Sequence, residues 1–412
     1  MNAPGADQAG ATPSGQDGGR ASLILYSQSS AFSLILGILT LLVPFYLLEL
    51  GYSFGQLGII ISAQGVFQVG LRLFGGVMAD RVGERWVILA SFGSLLAGAL
   101  LMALAPALAA IIVAQLLIGA ARSVYWTASQ SYGSRILEGG AGKFLGRFFG
   151  FSSAGQMVGS FIGGWIAGYA LFAFGFGVCA ALAGLSILLT FVMPELPRRM
   201  ARTIKQILKP VPSVFLSRWT LLPAICAFGA SLSMALLGSL IPAYLRVDVG
   251  YAESTIGAFR VIHGIGAVLI GFGFSMVLAR LGQKAFYAGI VAGNGGFIIL
   301  MVLSGDVIWL TGLVMFGAGI AFNAGRVLYA VMTAEGSNPD QRGVAMAVVG
   351  IYWASAQLIG PAAFGLLGDV IGPFASLMVA GALIMIPGLL TPLLYMMLGP
   401  RAVGKAPSET ES

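Results

Sequence analysis

The chain has 412 residues, 58% hydrophobic and 9% charged, with a mean hydropathy of +0.93. A water-soluble domain carries about a quarter charged residues, so a soluble body of this length is excluded and a polytopic membrane protein is the class that remains. The net charge of +7 would suit nucleic acid, but it is spread as a topology signal rather than gathered in one basic patch.

Residues 1–20, MNAPGADQAGATPSGQDGGR, lack the apolar region of a signal peptide and read as a disordered tail. A helix needs about 20 apolar residues to cross a bilayer. Charged, Gly and Pro punctuation cuts the chain into twelve such spans: 23–49, 55–79, 86–106, 108–130, 144–170, 176–194, 218–245, 253–279, 284–304, 307–332, 342–369 and 373–398. The expected fold is all-α and integral to the membrane. Residues 21–194 form one six-helix bundle, 195–217 a basic cytoplasmic linker and 218–398 a second bundle, with 399–412 a second tail.

Four arginines lie well inside spans: Arg72, Arg122, Arg260 and Arg326. Arg246 falls on the side opposite the termini, and the other basic residues fall in the tails, the even-numbered loops and the span ends beside them. Basic loops stay cytoplasmic, which puts both termini there. All 15 acids fall in tails, loops or helix ends, so no span carries a carboxylate near its middle.

The chain also resembles itself. VPFYLLELGYSFGQLG at 43–58 matches IPAYLRVDVGYAESTIG at 241–257, and RVGER at 81–85 matches RLGQK at 280–284. RSVYWTAS at 122–129 matches RVLYAVMT at 326–333, and GQMVGSFIGG at 155–164 matches AQLIGPAAFG at 356–365. Parallel repeats of this kind place substrate between two halves that rock about it.

The loop GVMADRVGERW at 76–86 is similar to the G-x-L-A-D-R-x-G-R-[KR] signature of the major facilitator superfamily, through Gly76, Ala79, Asp80, Arg81, Gly83 and Arg85. Met78 and Glu84 depart from it. The resemblance covers about residues 20–400 and implies a 12-helix transporter of two six-helix pseudo-repeats. It also implies a gating role for this loop, with Asp80 facing the N-terminal end of the eleventh helix near Gly343. The fifth helix resembles the G-x-x-x-G-P-x-x-G-G pattern of the efflux branch through Gly155, Gly159, Gly163 and Gly164, with Ser160 where proline is expected. That similarity implies export and proton antiport; the missing proline weakens the antiport part.

Polar groups inside the membrane mark function. Gln64, Gln68 and Arg72 recur every four residues and share a face; Arg72 is near enough to the helix end to snorkel to water instead. Arg122, Tyr125 and Trp126 form an amphipathic wall, and Arg326 with Tyr329 repeats it. Arg260 and His263 share a face of the eighth helix, Gln156 matches Gln357 across the repeat, and Trp353 lies one turn before Gln357. Buried arginines without a buried acid favour a small anionic or amphipathic solute, with protons a candidate partner. The expected carrier is a monomer that needs no cofactor or metal. Uptake or uniport of an organic anion, and lipid flipping on the same fold, are the competing readings. A membrane enzyme lacks a nucleophile–base pair or metal cluster in this sequence.

Overall fold

The computed structural model describes residues 15–71, 78, 81–136, 141–196, 211–215, 217–337 and 342–398, and the regular structure there is helical. Helix α1 runs Gly15–Glu49, α2 Phe54–Leu71, α3 Glu84–Leu104, α4 Leu108–Ile136, α5 Ala141–Gly168 and α6 Phe172–Phe191. In the second half α7 is Arg218–Leu237, continued after a break at Gly238–Ser239 by Leu240–Val247. The run Glu253–Ser304 spans 52 residues, about 78 Å at 1.5 Å per residue. That is more than twice a bilayer core of about 30 Å. Gly282 breaks it with non-helical torsions (φ 75°, ψ 154°), inside the RLGQK segment. Its limbs are α8 (253–281) and α9 (283–304). Helix α10 is Ile308–Gly336, α11 Arg342–Ile371 and α12 Pro373–Leu389, continued at a bend of 57° by Thr391–Leu398.

Among the described residues, nine helices are long and apolar enough to cross a membrane, or ten with the bent last pair as one. Counting α8 and α9 separately, and adding the 28-residue α5, gives the expected twelve. The expected first tail is shorter, because the α1 helix already begins at Gly15. The second span is described only to Leu71, and residues 1–14, 197–210 and 399–412 of the tails and linker lie outside the described set. The described end of the linker is a short helix, Val211–Phe215, not a free strand of chain. Val214 is buried with Ala345 and Val348 of α11, and Phe215 stacks on Tyr352 at 4.7 Å.

Local chemistry sets the helix ends. Gly51 and its repeat mate Gly250 take positive φ (79° and 83°), which only glycine adopts freely. Ser53 then caps α2 reciprocally with Gln56. Gln56 N donates to Ser53 Oγ at 3.2 Å, and Ser53 N donates to Gln56 Oε1 at 2.9 Å.

The α5 glycines act as a packing stripe. Gly155, Gly159 and Gly163 meet the α1 backbone at Ser30, Leu34 and Ile38, a four-residue match on both helices. Gly164 turns to the other half: a Cβ there would sit 2.6 Å from the Glu253 carbonyl oxygen and 2.9 Å from Gly257 Cα of α8. On the opposite side α2 meets α11, where Gly58 faces the Pro361 carbonyl and a Cβ on Gly365 would lie 2.8 Å from the Phe54 carbonyl oxygen. Small residues let helix backbones touch in this way.

Polar contacts reinforce the closure at the ends away from the termini. Arg246 Nε lies 2.7 Å from Glu253 Oε1, and its Nη2 lies 3.5 Å from Glu49 Oε2 of α1. Asp369 of α11 accepts from Ser53 Oγ at 2.7 Å and Gly55 N at 3.0 Å, at the N-terminus of α2. That is the end of a helix where a carboxylate is favoured.

Candidate functional site

The two halves enclose two small adjacent cavities midway along the helices. The first, about 60 Å³, is lined by α1 and α2 (Thr40, Gln64), α4 (Arg122), α5 (Gln156), α7 (Met234, Gly238) and α11 (Gln357, Pro361). The second, about 40 Å³, is lined by α5 (Ser153, Gln156, Met157, Ser160), Met234 of α7, α8 (Arg260, His263, Gly264) and α10 (Phe322, Asn323, Arg326). Gln156 and Met234 line both.

Helical spacing explains the linings. Ser153, Gln156, Met157 and Ser160 follow the i, i+3, i+4, i+7 pattern of one helix face, as do Arg260, His263, Gly264 and Ala267. In the first cavity Arg122 Nη1 donates to Gln64 Oε1 at 2.8 Å, and Gln64 Nε2 donates to Gln115 Oε1 at 2.5 Å. This amide chain orients the guanidinium across α2 and α4. Gly119, one turn before Arg122, packs directly on the Gln64 backbone and brings the two helices close enough for it. Gln357 Nε2 donates to Ser231 O and Oγ, both at 3.1 Å, and so ties α11 to α7.

The second cavity is less satisfied. Arg260 is 4% exposed and His263 5%, and both Arg260 Nη1 and His263 Nε2 are buried with no hydrogen-bond partner. Arg326 lies over the Phe149 ring of α5, 5.1 Å from its centroid, a cation–π contact that reaches across the halves. Among the described residues no carboxylate pairs with Arg122, Arg260 or Arg326; the ion pairs there are Arg85–Glu195, Arg135–Glu84 and Arg246 with Glu49 and Glu253. The described acids sit in loops or near helix ends, as the sequence suggests.

The structure therefore separates two arginines that the repeat makes equivalent. Arg122 and Arg326 line different cavities, and Arg326 keeps company with Arg260 and His263. Tyr125 lines neither. It is fully buried, stacked on Phe32 at 3.7 Å and set edge-on to Phe92 and Trp126. Trp126 packs edge-on against Phe148. Tyr329 and Trp353 pack on each other at 5.7 Å behind Phe322, outside both linings. Gln68 is 5% exposed and outside both linings, with Nε2 unpartnered.

Arg72, expected in the cavity or snorkelling from it, and Gly76 and Asp80 of the expected gating loop lie outside the described residues. Arg81 is exposed, and Gly83 takes φ 101° just before α3. Arg85 donates to Phe191 O at 2.8 Å and pairs with Glu195 at 3.4 Å, joining α3 to the end of α6. Glu84, where the signature has a basic residue, is 2% exposed and holds Arg135 Nη1 through both oxygens at 2.8 Å. Sequence reasoning missed this pair, along with Gln115, Met234 and Asn323. Gln115 lies seven residues before Arg122 and Asn323 three before Arg326, spacings that put each on its arginine's face.

The sequence profile of the Major Facilitator Superfamily matches residues 25–361. Among solved structures, the chain is similar to a mutant of the nucleoside transporter NupG, with a TM-score of 0.75 at 15% identity over 91% of this chain and 100% of that one. It is similar to a POT family transporter in complex with 5-aminolevulinic acid (0.75, 13%, 91% and 96%). A mutant of the peptide transporter POT in complex with sulfate is similar to it as well (0.75, 15%, 92% and 95%). At these identities the likeness is one of fold.

Proposed function

The chain belongs to the Major Facilitator Superfamily, and on that premise we propose that it carries a small organic anion across the membrane by alternating access. One observation carries the anionic part: three arginines, Arg260 buried and Arg122 and Arg326 half-buried, line the two cavities, and no described carboxylate neutralises them. A buried charge without a partner is costly, and a transported anion offsets that cost while it is bound. The arrangement also disfavours organic cations, which would meet like charge in both cavities.

The proposed location is the cytoplasmic (inner) membrane, with both termini inside, supported by the basic residues of the even-numbered loops. The closed contacts at Gly164–Gly257, Gly58–Pro361 and Arg246–Glu253 then belong to the outer side. Export is the favoured direction, supported by the α5 glycine pattern, and uptake or uniport is the alternative. The candidate proton carriers are His263 and the end-of-helix acids Glu49 and Asp369, because the span interiors hold no described carboxylate. The proposed unit is a monomer acting as a carrier rather than as an enzyme.

A lipid-handling reading has one observation in its favour. An apolar cleft of about 540 Å³ lies between α7, α11 and α12, lined by residues such as Phe228, Leu232, Ile359 and Phe364. Flux of labelled organic anions into proteoliposomes, set beside translocation of a fluorescent lysolipid in the same vesicles, separates the two. Anion flux without lipid translocation supports the carrier reading, and the reverse result overturns it.

A further inference from the structure

The repeat presents Arg122 and Arg326 as symmetric anchors, but the cavities differ in what is already engaged. Arg122 spends a donor on Gln64, which passes the polarisation on to Gln115. Arg260 Nη1 and His263 Nε2 are both buried and idle, although they are side by side on one face of α8. Asn323 Nδ2 is already committed to Ala267 O at 2.7 Å. Arg260 Nη1, and His263 Nε2 in its protonated tautomer, are two unpartnered donors at the wall of this cavity of about 40 Å³, and they match the two oxygens of one carboxylate. Gln156 and Met234, shared by the two cavities, mark where the rest of a solute would pass from one to the other.

We propose that the solute's carboxylate seats off the pseudo-twofold axis, in the α5–α8–α10 cavity. It accepts from Arg260 Nη1 and from the His263 Nε2–H tautomer, with Arg326 adding charge, while the Arg122–Gln64 side receives the solute's uncharged polar part. This rests on the organic-anion reading above. It assigns Arg260 and His263, rather than Arg122, as the residues that discriminate charge.

The test is thermal unfolding of the purified full chain titrated with benzoate, succinate and inorganic phosphate. A carboxylate should raise the melting temperature of the unaltered protein. Arg260→Gln should then raise the half-saturating concentration about tenfold or more, as loss of a charge-assisted hydrogen bond does. His263→Gln should raise it several-fold, and Arg122→Gln by less than about threefold. Without ligand, Arg260→Gln should melt higher than the unaltered protein, because an uncompensated buried charge is gone. Arg260→Lys keeps the charge and serves as the folding control, with binding between the two. A loss confined to Arg122→Gln overturns the off-axis seat and leaves the anion reading standing. Response to phosphate alone overturns the carboxylate assignment. No response to any of the three anions overturns the anion reading and this inference with it.

Discussion

Gly164 offers a direct handle on the proposed rocking motion. Its backbone contacts α8 so closely that a methyl group would sit 2.6 Å from Glu253 O and 2.9 Å from Gly257 Cα. Both are well inside van der Waals distance, and both partners are backbone, which cannot swing aside as a side chain can. Overpacking of this order costs about 1–3 kcal/mol. The cost falls only on the state in which α5 and α8 touch, so Gly164→Ala should shift the population towards the state with this side open by about 5- to 150-fold. The reporter is Ser62→Cys, 3% exposed where its hydroxyl accepts from Ala362 N of α11 at the other closed contact on the same side. Background is low because both native cysteines, Cys179 and Cys226, are buried. Labelling of Ser62→Cys by a membrane-impermeant maleimide should quicken in the Gly164→Ala background by at least fivefold. Unchanged labelling would refute the view that this contact exists only in the closed state. Slower labelling would refute the assigned side.

Three further outcomes are expected. Glu84→Gln takes the negative charge out of a nearly buried pair with Arg135 and should lower stability by about 3 kcal/mol in thermal or denaturant unfolding, with Arg135→Gln restoring part of it. Asp369→Asn keeps a hydrogen-bonding side chain at the α2 N-terminus but removes its charge; it should loosen the closed state by about 0.3–1 kcal/mol and quicken the same cysteine labelling several-fold at most. Tyr125→Ala should cost about 3–5 kcal/mol of stability through the lost stack on Phe32, whereas Tyr125→Phe should leave anion affinity unchanged, as measured by the same melting titration.

The fold was readable because the bilayer permits so little. Each span must satisfy its backbone internally, so hydropathy and punctuation located the helices among the described residues, and the RLGQK repeat placed the α8–α9 boundary where Gly282 breaks the chain. The α7 break at Gly238–Ser239 went unseen, because one glycine in an apolar run carries no period of its own. The candidate residues were readable as a set, since buried arginines stand out, but their grouping was not. Which cavity Arg326 joins depends on how α10 is rotated against α5, and its contact with Phe149 spans 177 positions of sequence. Tyr125 misled for the same reason. Its helical spacing from Arg122 suggests a shared cavity face, but Phe32, on another helix, captures its ring. The symmetry of the sequence also hid an asymmetry of partners: Arg122 has its Gln64, while Arg260 has no counterpart in the first repeat and no described partner on Nη1.

The central claim is that the buried arginines serve a transported anion. It is tested most directly by solid-supported-membrane currents from proteoliposomes given concentration jumps of benzoate, succinate, a neutral nucleoside and an organic cation. The account predicts carboxylate-evoked currents in the unaltered protein that, at its half-saturating concentration, fall about fivefold or more in Arg260→Gln and persist in Tyr125→Phe. Currents evoked by the cation, or carboxylate currents that survive in Arg260→Gln, Arg122→Gln and Arg326→Gln alike, would contradict it.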